Sequence, residues 1–262
     1  MLVFSSIVPH PPLLIPNIGR DDLGKLKKTI KGFRLLEEEL IRSNPEIIIV
    51  ISPHGEIFPD AFNINTAEEY TATFNEFGDF ETELKFKSDL AFVNQFKGQV
   101  ETRIPLVLSR QDNLDHGCSV PLFYLAQKLK GVRIVPISYS FLNYEKHLQF
   151  GVELKESIFK SDRRIAVIAS GDLSHRLSLT APAGFSPRAK EFDKKLIQLL
   201  KQKKADGVLT MDPELIEIAG ECGLRSIIML LGIVKNMKYE FEVLSYEAPF
   251  GVGYLVGQFT FA

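Results

Sequence analysis

The stretch Glu46-Ile-Ile-Ile-Val-Ile-Ser-Pro-His-Gly-Glu56 decides the fold predicted for this chain of 262 residues. The five consecutive β-branched residues 47–51 are typical of a strand buried on both faces, as in the centre of a parallel sheet. The strand must end there, because Pro53 cannot continue a central ladder and Gly55 permits a tight turn. We therefore expect His54 at the carboxyl end of a central strand, the edge at which ligands bind in open α/β sheets.

Strand and helix patterns alternate along the rest of the chain, which predicts an α/β protein. Further strands are predicted at residues 2–8, 104–108, 132–138 and 165–169, with a β-rich insertion at about 61–86 and late antiparallel strands at 239–246 and 252–259. Helices are predicted from an Asp21 or Asp22 cap to 43, at 88–96, 120–129 and 143–159, from a Ser186-Pro187 cap to 203, and at 213–234, as one helix or as two broken near Gly220 and Gly223. We expect a mostly parallel central sheet with helices on both faces, in one domain spanning residues 1–262.

Composition excludes several classes of protein. A net charge of −2 and a pI near 6.2 give no electrostatic footprint for nucleic acid. No apolar run approaches the roughly 20 residues of a membrane span, and prolines interrupt the N-terminal apolar stretch, which argues against a signal peptide. Two cysteines do not make a disulfide framework, so we expect a reducing cytoplasm.

The histidines carry the first chemical signal. Four of the five lie at predicted strand ends or in glycine-containing turns, namely His10, His54, His116 and His175. His147 falls within a predicted helix and is expected on the surface. A single histidine at a strand end is most simply a core residue, but four at one sheet edge favour a site. Neutral imidazoles with a carboxylate suit Fe(II) with open positions for substrate and oxygen, and ligand type alone is equally compatible with zinc hydrolysis.

Four motifs in order resemble a known family. They are Val8-Pro-His-Pro-Pro12, Ser52-Pro-His-Gly55, Leu114-Asp-His-Gly117 and Ser170-Gly-Asp-Leu-Ser-His175. This ordered set covers nearly the whole chain and is similar to the LigB-type class III extradiol ring-cleavage dioxygenases. The resemblance implies a mononuclear Fe(II) held by two histidines and one glutamate. It also implies a catechol- or aminophenol-type substrate that is opened with O2.

Carried over residue by residue, the resemblance makes His10 and His54 the histidine ligands. The third ligand is expected in the late helical segment 218–225, where Glu221 is our choice. Glu217 and Glu214 lie one and two turns earlier and stay open as alternatives.

The same resemblance gives the other two histidines roles in proton transfer. His175 is expected to take a proton from the catechol as general base, and His116 to donate one near the bound oxygen. Asp172 and Asp115 are candidates to orient these imidazoles. For Asp172 the simpler expectation is a turn cap.

One departure from the family pattern opens a second hypothesis. Glu221 is followed directly by Cys222 and a glycine, and the related Memo-like proteins carry a Cys-Gly motif at this place, where the cysteine can meet the metal. A thiolate would favour copper or zinc. Cys222 is most simply a small buried residue in a helix break, as is Cys118 beside His116.

Two functions from different classes therefore follow from the sequence. The first is an Fe(II)-dependent extradiol dioxygenase. The second is a Memo-like metal-binding or redox protein of the same fold that does not cleave rings and that works with a radical-SAM system. Either function is compatible with a homo-oligomer or with a partner subunit.

Overall fold

The computed structural model describes residues 1–261, which form eleven β-strands and nine α-helices. The strands are β1 (Leu2–Val8), β2 (Ile47–Ser52), β3 (Phe62–Asn65), β4 (Glu69–Phe74), β5 (Asp79–Ser88), β6 (Leu106–Ser109), β7 (Asn113–Leu114), β8 (Arg133–Ser138), β9 (Ile165–Ser170), β10 (Tyr239–Glu247) and β11 (Tyr254–Phe261). The helices are α1 (Pro16–Gly19), α2 (Lys27–Ser43), α3 (Leu90–Val100), α4 (His116–Leu125), α5 (Tyr144–Lys160), α6 (Ala189–Lys201), α7 (Ala205–Leu209), α8 (Pro213–Ala219) and α9 (Leu224–Ile233). Within this range no helix has both the length and the apolar character needed to cross a membrane.

All eleven strands join one sheet. Its main order is β10-β11-β1-β9-β2-β8-β5-β4-β7, with β3 paired to β8 and β6 paired to β3. Neighbours from β1 to β5 in this order run parallel, whereas β11 runs antiparallel to both β1 and β10. The predicted fold class is thereby confirmed: a mostly parallel centre, an inserted β-rich segment and late antiparallel strands.

The central strand β2 explains why the sheet needs helices on both faces. Ile47, Ile49 and Ile51 pack into one hydrophobic core, and Ile48 and Val50 pack into the other. Helices α5 and α9 pack over the first face, and α2 and α4 over the second. Because the apolar side chains of residues 47–51 are fully buried, each contributes about 1.5–3 kcal/mol of transfer free energy.

The order of the central strands determines where the histidines meet. Strand β9 lies between β1 and β2 and is parallel to both, so the carboxyl ends of the three strands share one edge. His10 follows β1 by two residues, His54 follows β2 by two, and His175 follows β9 by five.

Two predicted helix starts are wrong. Asp21 and Asp22 lie in a 3-10 segment, Arg20–Lys25, and α2 begins only at Lys27, after Leu26 has departed from helical geometry. Ser186 does not cap α6 with its side chain; its carbonyl accepts the Ala189 amide in a turn that precedes the helix. The predicted break in the late helix is confirmed, because Gly220 ends α8 with φ of +60°, a conformation that glycine adopts at little cost.

The expectation of a surface position for His147 is also wrong, because the residue is fully buried. It occupies the inner face of α5 together with Phe150 and Leu154, at helical spacing of three and seven residues. Its Nδ1 lies 2.8 Å from the Asn143 carbonyl oxygen and its Nε2 lies 3.0 Å from that of Ser140.

His147 should make the protein sensitive to acid. Burial lowers its pKa to about 4 from 6.5, outweighing the two carbonyls that favour protonation. The unfolded chain therefore binds more protons between these values, so stability is complete above about pH 6.5 and is lost as the pH falls towards 4. As the pH falls from 7 to 4.5, we expect the free energy of unfolding to drop by about 2–3 kcal/mol less in His147→Leu than in the wild type. Urea unfolding at the two pH values measures this difference. Equal pH dependence in the two proteins would contradict this assignment.

Candidate metal centre

Two imidazoles meet at the carboxyl edge of the sheet. His10 Nε2 lies 3.0 Å from His54 Nε2, and the two rings are nearly perpendicular with centroids 4.8 Å apart. His10 is buried, whereas His54 is exposed to the cavities described below. The expectation that these two histidines come together from separate strand ends agrees with this geometry.

Cys222 is the third residue of this cluster. Its Sγ lies 3.6 Å from His10 Nε2, and the three possible ligand atoms of His10, His54 and Cys222 lie within 4.8 Å of one another. No other cluster of this kind occurs among residues 1–261. Cys222 does occupy the break between α8 and α9, as expected, but its thiol faces the imidazoles.

Close backbone contact places the Cys222 loop against the end of β9. A Cβ built on Gly171 would lie 2.1 Å from the Gly223 Cα, so only glycine allows this approach. The Asp172 carbonyl accepts the Gly223 amide at 3.0 Å, and the Asp172 amide donates to Cys222 Sγ at 3.3 Å. These contacts fix the direction of the thiol.

Two of the three donor separations fit a single transition-metal ion. Nitrogen and sulfur ligands bound at about 2.0–2.1 and 2.3 Å lie roughly 3–3.7 Å apart, as the observed 3.0 and 3.6 Å separations do. Burial lowers the pKa of His10 well below its usual value and lowers that of His54, which favours the neutral, metal-binding imidazole. Burial also raises the pKa of the Cys222 thiol, so metal binding would have to displace its proton.

Glu221 lies outside the cluster. Its Oε2 accepts the Leu224 amide at 2.5 Å and so satisfies the first turn of α9. Burial raises the pKa of this carboxyl to about 7. Glu214 is exposed and pairs with Arg188, and Glu217 is also exposed. The structure thus brings Cys222, rather than any of the three glutamates we considered, to the two histidines.

The remaining two histidines lie beside this cluster. The His116 ring stacks on His54 with centroids 4.2 Å apart and meets the edge of Phe77. Burial and His54 lower the pKa of His116 to about 4. The pKa of His175 is also lowered by burial, and its Nδ1 is buried without a hydrogen-bond partner among the described residues. Both rings are therefore neutral at pH 7.

The carboxylates of Asp115 and Asp172 accept hydrogen bonds from backbone amides, not from imidazoles. Asp115 caps α4 by accepting the Cys118 amide, and it also accepts the Ser52 hydroxyl at the end of β2. Asp172 Oδ1 accepts the His10 amide at 3.0 Å, so it links two loops instead of capping its own turn. Burial raises the pKa of Asp172 to about 7.

Two further residues, Ser170 and Asp193, position the site, and sequence reasoning missed both. Ser170 Oγ lies 2.9 Å from His10 Nδ1, and an Nδ1–H donor there would leave Nε2 free for a metal. Asp193 on α6 accepts the Ser174 amide at 2.9 Å and the Tyr246 hydroxyl at 2.6 Å, which anchors the loop that carries His175. Nothing in the sequence pattern pairs Asp193 with a residue so distant in the chain.

An apolar cavity of about 450 Å³ opens beside the four histidines. Besides His10, His54, His116 and His175, its lining includes Pro11, Pro12, Leu13, Asp172, Thr180, Pro182, Phe250, Val252 and Tyr254. Apolar walls with a few convergent polar groups are typical of small-molecule sites. We call this space the apolar cavity.

Comparison with known proteins gives a family and a fold. Residues 5–257 match the family model described as the catalytic LigB subunit of aromatic ring-opening dioxygenase. Protein CA_C1420 of Clostridium acetobutylicum is 35% identical over 259 residues, which is 95% of this chain and 55% of that protein, so the chain spans about half the length of this relative. The 3,4-dihydroxyphenylacetate 2,3-dioxygenase of Escherichia coli is 24% identical over 269 residues, covering 95% of this chain and 96% of the enzyme. A crystal structure of the uncharacterized protein JW3007 from Escherichia coli K12 shows the same fold, with a TM-score of 0.72 at 16% identity over 98% of this chain and 99% of that one.

Proposed function

The chain belongs to the LigB family of aromatic ring-opening dioxygenases, and from that premise we propose that it binds one transition-metal ion through His10, His54 and Cys222 and acts with O2 on a catechol-type aromatic compound. The observation that carries this proposal is the presence of His116 and His175 in the same cavity as His10 and His54. A site that only stores a metal has no need of two additional neutral imidazoles.

The donor set bears on the choice of metal. Fe(II) is the metal that the family resemblance implies, usually with two histidines and a carboxylate. A thiolate in place of the carboxylate makes this set softer, so copper and zinc compete with iron for it. When bound, a redox-active ion would supply Lewis acidity towards the catechol hydroxyls and a route for electrons between the ring and O2.

His175 is suited to act as the general base. It is neutral at pH 7, and it lines the apolar cavity. In this proposal the imidazole takes the proton from a hydroxyl of the bound catechol. Asp193, through the Ser174 amide, holds the loop that carries His175 in place.

His116 is suited to donate a hydrogen bond as a neutral imidazole, not to act as a cationic imidazolium. With a pKa of about 4 it stays neutral at pH 7 and presents one ring N–H. Stacking on His54 and contact with Phe77 fix the plane of the ring. In this proposal that N–H stabilises negative charge that develops on oxygen.

The apolar cavity would hold the aromatic ring itself. Phe250, Val252 and Tyr254 line it together with the histidines. Such walls favour a flat apolar group and exclude water from the proton-transfer residues.

A second function is favoured by one observation, the position of Cys222. A site of two histidines and one cysteine is also compatible with a Memo-like metal-binding or redox protein that keeps the pocket without opening rings. The two proposals differ in whether a catechol reaches the metal.

The test is a titration of the anaerobic Fe(II)-loaded protein with catechols, followed by admission of O2. We expect an absorption change on catechol binding and then oxygen consumption with formation of a yellow ring-opened product. The His54→Ala protein, which should lack metal, is the control. If no catechol perturbs a fully loaded site, the dioxygenase proposal fails and the redox-protein proposal takes its place.

A further inference from the structure

A second and larger space adjoins the apolar cavity. This cleft of about 650 Å³ shares His54 and His116 with the apolar cavity. The rest of its lining is largely polar and includes Glu56, Asn63, Asn65, Asn75, Glu76, Ser109, Gln111, Asn113, Asp115 and Ser138. We call it the polar lobe. A ligand whose ring lies in the apolar cavity could therefore extend a substituent past His54 and His116.

The charged groups of the polar lobe all have the same sign. Glu56, Glu76 and Asp115 line it, and among residues 1–261 no lysine or arginine lines either this lobe or the apolar cavity. Arg110, which precedes Gln111 in the sequence, is exposed and lies outside the lining. A carboxylate on the ligand would find no cationic side chain there and would face acidic ones.

The lobe also offers an unused hydrogen-bond acceptor. Asn63 is buried, and its Nδ2 donates to the Glu56 carbonyl at 3.0 Å and to Ser109 Oγ at 2.9 Å. Because a carbonyl oxygen can only accept, this contact fixes which end of the amide is nitrogen. Asn63 Oδ1 is then left buried with no partner among the described residues. Buried polar atoms usually have a partner, so a donor on a ligand would complete the site.

Asn65, which also lines the lobe, has no such free acceptor. Asn65 Oδ1 accepts the Ala67 and Gln111 amides, and its Nδ2 donates to the Gln111 carbonyl, so this side chain is committed to the wall of the lobe. The acceptor capacity available to a ligand thus comes from Asn63 Oδ1 and from the carboxylates of Glu56 and Glu76.

We propose that the substrate is a catechol whose side chain carries a protonated amine, which the polar lobe binds through Glu56, Glu76 and Asn63. The inference rests on the proposed function, because it assumes that a catechol ring lies at the metal. An ammonium group is a donor with a positive charge, and both properties match an acidic lining that is rich in acceptors. Substrates with a side-chain carboxylate, such as the one named for the Escherichia coli relative, match neither property.

The test compares three catechols that differ mainly in charge: 4-(2-aminoethyl)catechol, 4-ethylcatechol and 3,4-dihydroxyphenylacetate. Binding to the Zn(II)-loaded protein is measured by calorimetry at low salt, because zinc is redox-inert and prevents turnover. We expect the amine to bind most tightly, the neutral compound next and the acid most weakly. Exposed carboxylates contribute modestly, so each step should be about two- to fivefold.

A double variant tests the residues themselves. The double variant Glu56→Gln/Glu76→Gln should bind the amine about as tightly as 4-ethylcatechol, because an uncharged site has no charge preference. Glu145 is an exposed carboxylate outside the lobe, so Glu145→Gln should leave the wild-type preference for the amine unchanged. If 4-ethylcatechol binds but the acid binds as tightly as the amine, the inference is wrong and the proposed function survives. If none of the three binds a zinc-loaded site, the proposed function fails and the inference fails with it.

Discussion

Replacing Cys222 with alanine is expected to remove most of the bound metal, with a loss of affinity beyond the roughly 10- to 100-fold that a supporting residue costs. The thiol is one of three donor atoms within 4.8 Å of one another, and alanine supplies no ligand. Glu221→Gln should keep its metal, because its carboxylate is engaged by the Leu224 amide and glutamine can still accept that hydrogen bond.

Metal content after anaerobic reconstitution and gel filtration measures this difference directly. Cys118→Ala is the matched control, since Cys118 is the other cysteine, is buried, and lies outside the cluster. Circular dichroism of each variant separates metal loss from unfolding. Full occupancy in Cys222→Ala together with loss in Glu221→Gln would reverse the ligand assignment and restore a site of two histidines and one carboxylate.

The second large effect is expected for His175→Ala. This variant should bind metal and catechol much as the wild type does, because His175 lies outside the ligand cluster. Its turnover should fall by about 10²- to 10⁴-fold, the usual cost of removing a positioned acid or base. Oxygen consumption under saturating catechol measures the rate, and metal analysis of the same sample measures occupancy.

His147→Leu is the control for this experiment, because His147 is buried, lies outside the ligand cluster and does not line the apolar cavity, so the change should leave turnover unchanged at pH 7. Loss of metal in His175→Ala would mean instead that His175 is a ligand. Unchanged turnover with full metal would remove it from the chemistry altogether.

The parts of the site that follow parallel strands could be predicted from the sequence. The β-branched run of β2 and the apolar run of β9 indicate buried central strands, and the carboxyl ends of such strands share an edge. His10 and His54 follow strand ends within two residues, which leaves little freedom in where they lie. Their Nε2 atoms lie 3.0 Å apart, which agrees with that prediction.

The choice between Glu221 and Cys222 could not be predicted in the same way. Both residues lie in the irregular break between α8 and α9, where no helical or strand period sets the direction of a side chain. The direction depends on the left-handed Gly220 and on the contact between Gly171 and Gly223, which are 52 positions apart in the sequence (223 − 171). Family resemblance pointed to the glutamate, and long-range backbone packing brings the cysteine to the histidines instead.

The burial of His147, by contrast, had a signal in the sequence. Phe150 and Leu154 stand three and seven residues after it, so the apolar face of α5 includes its position. A polar residue on such a face is buried when backbone carbonyls satisfy it, as those of Asn143 and Ser140 do here.

The central claim is that a metal in this protein has one sulfur and two imidazole ligands from Cys222, His10 and His54. X-ray absorption at the metal edge of the reconstituted protein tests it most directly, because sulfur and nitrogen scatter at distances that differ by about 0.2–0.3 Å. The account predicts one sulfur at about 2.3 Å in the wild type, and its disappearance in Cys222→Ser. A spectrum with only nitrogen and oxygen ligands in the fully loaded wild type would contradict it.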